Sequence, residues 1–428
     1  MVTLVSENPK IWNIHVRLPQ NPLKNLNAYV ICTDAGNLVI DTGFNRDECR
    51  EDLWGGIEEL GLDLSRTALF VTHLHSDHCG LAGDFAQRGC PIYMGEEEHR
   101  YIMESDAADA WHRLEALFYS EGMPPGTLSN QADENQARKY APAPYTVTTV
   151  KDHEVIRLGD LEITCLHTPG HTPGIMTLYL AREQVYFSSD HVLFDITPNI
   201  AIWHGIPHSL ADYMDSLRAV RDLPIRMTLP AHRQVHEDVY TRIDEILHHH
   251  DERLEEIYRT VKERQDEPRL TEPGLTEPGL TEPRPTEPGP TEPRPTLTTP
   301  GTPSAPAVTP NAAPARAPGE RGGSTAVTPD AAPAHALGEK DGAPAADCTP
   351  KCASVCAVAC PWDGLSGIDA YRIASHITWS AGGRAWETFP PTQIWFAMSE
   401  TLSHLYYLVD RGKLLRIEHD GAFSYRTP

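Results

Sequence analysis

This chain lacks a surplus of positive charge. Its 36 lysines and arginines stand against 60 aspartates and glutamates, a formal net charge of -24. A chain so acidic is repelled by nucleic acid and anionic membranes unless it hides a local basic patch, so neither is expected as a partner. Long apolar runs are missing as well, and nothing approaches the ~18 residues needed to cross a membrane. The opening residues, Met1-Val2-Thr3-Leu4-Val5, lack the basic segment and apolar core of a secretory leader. Cysteine is scarce and odd in number, at nine. Five are scattered at Cys32, Cys49, Cys79, Cys90 and Cys165, as ordinary small core or surface residues are. Nothing asks for an oxidising compartment, and a cytoplasmic location is expected.

Proline is the residue in excess, with 37 copies unevenly spread. Residues 1–264 read as one globular unit. The segments 28–32 and 37–41 look like paired strands around the turn Asp34-Ala35-Gly36. Residues 46–60 read as a helix that Gly61 ends. Ala68-Leu69-Phe70-Val71 is a short buried strand, and later strands are expected at 161–166, 176–180 and 185–188. Residues 235–262 read as a long helix. From 265 to 347 the chain repeats Glu-Pro every five residues and then fills with Pro, Ala, Thr and Gly. Proline removes backbone donors, and few residues here could build a core, so this stretch reads as a disordered linker. Order is expected to return near Trp362. Helical spacing at Met398, Leu402, Leu405 and Val409, then strands around Asp420-Gly421, suggest helices followed by a hairpin. Residues 348–428 are therefore expected to form a small winged-helix-like domain.

The densest chemistry lies at Thr72-His73-Leu74-His75-Ser76-Asp77-His78, directly after a buried strand. Imidazoles two apart on an extended segment can aim at one metal ion, and the Asp and His that follow can reach a second. A polar surface loop explains one histidine easily, but explains four potential ligands in six residues poorly. Four more signals follow strand-like runs. They are Asp41, the rigid turn Thr168-Pro169-Gly170-His171-Thr172-Pro173-Gly174, Ser188-Ser189-Asp190, and Leu229-Pro230-Ala231-His232.

In that order these residues resemble the five-motif pattern of the metallo-β-lactamase superfamily, over roughly residues 10–264. The resemblance implies an α/β fold, an αββα sandwich with the site at one edge of two packed sheets. It implies that His73, His75 and His171 bind one metal and that Asp77, His78 and His232 bind another. Asp190 would bridge them, and Asp41 would orient a ligand histidine from behind. The stretch His167–Gly174 and the pair Asp77-His78 are similar to the glyoxalase-II-like branch, mostly thioesterases and related hydrolases. Ala231 and Arg233 around His232 depart from that branch, and no helical glutathione-binding domain is evident. The tail instead resembles a neighbouring β-lactamase-like branch, some of whose members cleave single-stranded RNA.

The expected activity is hydrolysis of a small ester or thioester. Two cations, Zn²⁺ first and Fe²⁺ or Mn²⁺ as alternatives, would hold a water and lower its pKa from 15.7 towards ~7. Asp77 is the expected catalytic base. His191, Trp203 and His204 are candidates to line the pocket. A metal-dependent endoribonuclease and a β-lactamase are the rival enzyme readings, and a proline-rich interaction protein is the non-enzyme one. Cys348, Cys352, Cys356 and Cys360 are spaced by four, which on a helix strings them over about 18 Å, too far to converge on one ion. In residues 361–428 six basic residues face seven acidic ones, so the tail reads as a packing or lid element, with homodimer formation through it left open.

Overall fold

Alternation of apolar side chains along each strand divides the interior into three layers. The computed structural model describes residues 1–104, 107–128, 139–267, 367–379 and 384–428. Seven strands lie in spatial order in the first sheet: β1 (Val2–Glu7), β2 (Lys10–Arg17), β3 (Asn25–Thr33), β4 (Gly36–Ile40), β5 (Thr67–Val71), β6 (Ile92–Gly95) and β7 (Thr148–Val150). β1 to β4 are antiparallel neighbours, whereas β4 to β7 run parallel. The second sheet holds β8 (Val155–Leu158), β9 (Leu161–His167), β10 (Met176–Leu180), β11 (Val185–Ser189) and β12 (Met227–Pro230), in the order β12-β11-β10-β9-β8.

The sheets face each other through Tyr29, Ile31, Leu38, Ile40 and Phe70 on one side and Ile163, Leu178, Val185 and Phe187 on the other. The intervening residues point the opposite way, as a period of two requires. Val30, Val39, Leu69 and Val71 thus meet α1 (Asp47–Glu59), through Leu53 and Ile57, and the short helices α2 (Ser76–Cys79) and α3 (Ala82–Gln87). Two further helices, α4 (Glu96–Glu104) and α5 (Ala107–Ser120), follow β6. On the far face of the second sheet, Tyr179 and Tyr186 pack under α6 (Ser209–Arg221) and α7 (Val239–Arg264). α7 starts at Asp238, whose carboxylate accepts from the amides of Tyr240 and Thr241, a cap that sets the start a few residues later than the sequence pattern suggests.

The C-terminal elements are α8 (Ala370–His376), α9 (Pro391–Asp410) and the hairpin β13 (Leu415–His419) with β14 (Ala422–Arg426). Ile373, Met398, Leu402, Leu405 and Tyr425 share one hydrophobic cluster with Leu217, Ile246 and Ile257 of α6 and α7. The described residues on either side of 271–351 accordingly belong to one compact unit. Buried polar contacts reinforce the joint. Glu121 is fully buried and accepts from Arg416 Nη2 at 2.7 Å and from the Tyr425 hydroxyl at 3.0 Å. The four cysteines at 348–360, Trp362 and the repeat from 268 onward lie outside the described residues. Cys49, Cys79, Cys90 and Cys165 are buried thiols of the core. No helix among the described residues is long and apolar enough to cross a membrane.

Candidate metal centre

Each candidate ligand follows the C-terminal end of a strand. Asp41 follows β4, residues 73–78 follow β5, His171 follows β9, Asp190 follows β11 and His232 follows β12. Because the sheets pack face to face, these five loops meet at one edge of the sandwich. Main-chain bonds between the sheets fix that meeting. Met176 donates to Thr72 O at 3.0 Å, and Asn27 N donates to Ala231 O at 2.7 Å. Asn27 Nδ2 and the Tyr29 hydroxyl both donate to Pro230 O at 3.0 Å, which holds the His232 loop.

Three residues in the left-handed region stand at or beside the donors: Asp41 (φ 62°), Ser189 (φ 46°) and Arg233 (φ 65°). Such conformations cost a non-glycine residue ~1–3 kcal/mol and persist where the surroundings over-determine them. At Ser189 the ladder to β12 also shifts register, so the strand's last residues break from the pleat and Asp190 turns into the site. Pro169-Gly170 makes the other sharp turn. Gly170 has φ +134°, and a Cβ there would lie 2.3 Å from Tyr213 Cβ, so only glycine fits.

The side chains converge in two groups with a carboxylate between them. In the first, His73 Nε2 and His171 Nε2 each lie 3.0 Å from His75 Nδ1. In the second, His232 Nε2 lies 3.3 Å from His78 Nε2 and 3.4 Å from Asp77 Oδ2. Asp190 Oδ2 stands 3.5 Å from His171 Nε2 and 3.6 Å from His78 Nε2, while Oδ1 stands 3.5 Å from His232 Nε2. All seven expected ligand residues are thus brought together.

The outward nitrogens decide the tautomers. His171 Nδ1 faces Asn199 O at 2.9 Å and His232 Nδ1 faces Asn25 O at 2.8 Å. A carbonyl only accepts, so each Nδ1 carries the hydrogen and each Nε2 turns a lone pair inward. His78 Nδ1 likewise donates to Asp41 Oδ2 at 2.8 Å, and Thr72 N donates to Asp41 Oδ1 at 2.8 Å. Asp41 therefore lies behind His78 and fixes its ring.

Burial and the neighbouring imidazoles hold His73 well below the ordinary histidine range, and burial with His171 brings His75 down to about 3. Burial works to raise Asp77, but His78 and His232 outweigh it and bring the carboxyl down to about 2. Burial works to lower His78, but Asp41, Asp190 and Asp77 together hold it well above the usual imidazole range. The first group thus presents neutral imidazoles, and the second presents one carboxylate, Asp77, beside His78 and His232. Three ring nitrogens of the first group converge within about 3 Å, and buried Asp190 Oδ1 has no hydrogen-bond partner. This donor set fits divalent metal ions.

The candidate pocket residues separate. The Trp203 ring lies 5.9 Å from the His75 ring and its Nε1 donates to His171 O at 3.2 Å, so it walls the first group. Tyr101 of α4, not singled out in the sequence, packs edge-on against Trp203 at 5.6 Å. His204 is exposed on the turn beyond it. His191 departs from expectation. It is fully buried, its ring between the Tyr186 hydroxyl and Ser216 Oγ, both at 2.9 Å. The turn that follows β11 brings Asp190 to the site and leaves His191 in the core beneath α6, held by Tyr186 and Ser216.

The comparisons agree with this architecture. Residues 22–232 match the metallo-β-lactamase superfamily and are a domain of that family. The whole fold resembles a crystal structure of a metallo-β-lactamase family protein from Thermus thermophilus, with a TM-score of 0.62, 20% identity and 98% of each chain covered. Among curated relatives, a lactamase-like protein, aptB, of Emericella nidulans is 23% identical over 56% of this chain. An atrochrysone carboxyl ACP thioesterase of Aspergillus fumigatus is 23% identical over 58% of this chain. The match spans 62% of the aptB protein's length and 47% of the thioesterase's.

Proposed function

We propose that this protein is a metal-dependent hydrolase that cleaves a thioester or ester at a two-ion centre. The observation that carries the reading is the set of ring nitrogens and carboxylates gathered in two groups about Asp190, whose buried Oδ1 has no hydrogen-bond partner. His73, His75 and His171 would hold one ion, Asp77, His78 and His232 the other, with Asp190 shared. When bound, such ions lower the pKa of a water and polarise the oxygen of the bond to be cleaved. Mixed imidazole and carboxylate donors suit Zn²⁺, and the same set accepts Fe²⁺ or Mn²⁺.

The chain's own groups supply the rest. Asp77 is held as a carboxylate at neutral pH and stands at the second group, placed to take a proton from the attacking water and return it to the leaving thiolate or alkoxide. Asp41 keeps the His78 ring turned inward, and Trp203 supplies an apolar wall beside His75 for the acyl part of a substrate. The thioester is favoured over other bonds because a relative of this chain is named a thioesterase. A net charge of -24 disfavours a nucleic-acid substrate.

The test is elemental analysis of the purified chain beside hydrolysis of an acyl thioester, a p-nitrophenyl ester, a β-lactam, a phosphodiester and a single-stranded RNA. Two transition-metal equivalents with chelator-sensitive thioester or ester turnover are expected. Cleavage of RNA alone, or of the β-lactam alone, would replace the reading. His75→Ala should lower the metal content by about one equivalent and reduce kcat/KM at least ~10³-fold while the chain stays folded, a size in keeping with loss of an ion that stabilises transition-state charge. Unchanged turnover would remove His75 from the site.

A further inference from the structure

The first three imidazoles come from different sheets. His73 and His75 follow β5 of the seven-stranded sheet, whereas His171 follows β9 of the five-stranded one. Something must hold the two loops in register before any ion can use them. One side chain touches both. Glu98, in the first turn of α4, is fully buried. Its Oε1 accepts from the amide of Leu74, between His73 and His75, at 2.6 Å. Its Oε2 accepts from the amide of Gly174, three residues beyond His171, at 2.8 Å. The backbones are pressed together here, since a Cβ on Gly174 would lie 2.0 Å from Glu98 N. One turn along the same helix, Tyr101 backs Trp203, which reaches His171 O. Both contacts of α4 thus brace the same three histidines.

We propose that Glu98 is a positioning residue that clamps the His73–His75 loop to the His171 loop and so builds the first ion's site before the ion arrives. The proposal rests on the two-ion reading. A carboxylate suits the task because both its oxygens accept, and both partners are amides that only donate. Glutamine has the same shape but presents a donor at one end, so it keeps one loop and repels the other. Burial works to raise the Glu98 carboxyl, to about 7, while the Leu74 amide, the Thr172 hydroxyl and the Gly174 amide pull the other way, favouring the charged form that accepts at both oxygens. Partners that hold ligands from behind are typically worth about 10–100-fold in metal affinity.

The experiment uses the full chain, stripped of metal, as wild type and as Glu98→Gln. Each is titrated with Co²⁺, read by its visible absorption and by bound-metal analysis, with a thermal melt of the metal-free protein alongside. The expected result is a cooperative melt for Glu98→Gln, one ion weakened about 10–100-fold, and the other unchanged within about threefold. Two ions bound with wild-type affinity by the variant would overturn the proposal. Failure of the two-ion reading looks different, because the wild type itself would then take up no ion. A second measurement decides the matter should the variant not melt cooperatively. Deuterium uptake of the metal-free wild type over residues 72–76 and 172–176 is expected to show the Leu74 and Gly174 amides protected at least ~10-fold, as hydrogen-bonded amides of the folded state are. Unprotected exchange there would mean that the ion, not Glu98, assembles the loops.

Discussion

Asp41 accepts from both Thr72 donors and from the His78 ring, all from a left-handed backbone. Asp41→Asn keeps the shape and removes the charge that holds His78 in place. The expected outcome is a cooperatively folded protein whose second ion binds about 10–100-fold more weakly, read by competition with a chelator of known affinity. Trp203 offers a different test, since it touches the first group only through its ring face and its bond to His171 O. Trp203→Ala should raise KM for an apolar acyl thioester several-fold, about 0.5–1.5 kcal/mol of ring packing, with kcat changed less. An equal fall in kcat and kcat/KM would instead assign the ring a role in the reaction step. The candidate ligands were legible in the sequence because they fall just after strand-like runs in an order that resembles the metallo-β-lactamase pattern. Trp203 was legible as an aromatic beside a candidate ligand. Tyr101 was not, because nothing in Glu96–Glu104 marks one aromatic of a short helix as the neighbour of a loop about 100 residues away.

At the scale of elements, α7 and α9 meet across a buried histidine pair. His250 Nδ1 lies 3.1 Å from His404 Nε2, and His404 Nδ1 donates to Glu400 O at 2.7 Å. Burial brings His404 down to about 3 and holds His250 well below its ordinary range. In the unfolded chain both titrate near ~6.5. Between those values the unfolded chain binds more protons, so stability is fully present above pH ~6.5 and is lost as pH falls towards 3. The thermal midpoint should therefore fall by about 3 °C or more between pH 7.5 and pH 5, and His404→Gln should flatten that slope. A pH-independent midpoint would mean that the pair relaxes when protonated. The Arg416–Glu121 contact is a second joint. Arg416→Ala strands a buried carboxylate with tyrosine donors alone and should cost about 3 kcal/mol in urea unfolding. The helix and hairpin of the tail were legible from apolar spacing and from Asp420-Gly421. Their partners were not, because amphipathic spacing gives a buried face without naming what covers it.

For the molecule as a whole, the shared cluster joining α6 and α7 to α8, α9 and the hairpin sets an expectation for the linker. A protease site inserted near residue 300 and then cut should leave two fragments that co-elute and unfold in one transition. Fragments that separate in native buffer would show that the tail holds on only by its covalent tether. The physical reason to expect association is that Met398, Leu402 and Leu405 are fully buried against the same core as Ile246 and Ile257, and exposing them would cost about 1.5–3 kcal/mol each.

The sequence by itself determined the strands that lead into the histidine and carboxylate loops and the residues those loops carry, because strand periodicity and turn chemistry are local properties of the chain, whereas β1, β2, β6, β7 and β8 were not read from it. The αββα class followed from the resemblance of those motifs to the metallo-β-lactamase pattern. Tertiary structure alone decided which way individual side chains face. Glu96, Glu97 and Glu98 all stand in the acidic first turn of α4, yet only Glu98 is sealed between the two histidine loops. His191 stands next to Asp190 and faces away from it. Both outcomes depend on where a second sheet lies relative to the first, and that is set by packing across the whole interior, not by any neighbour in sequence.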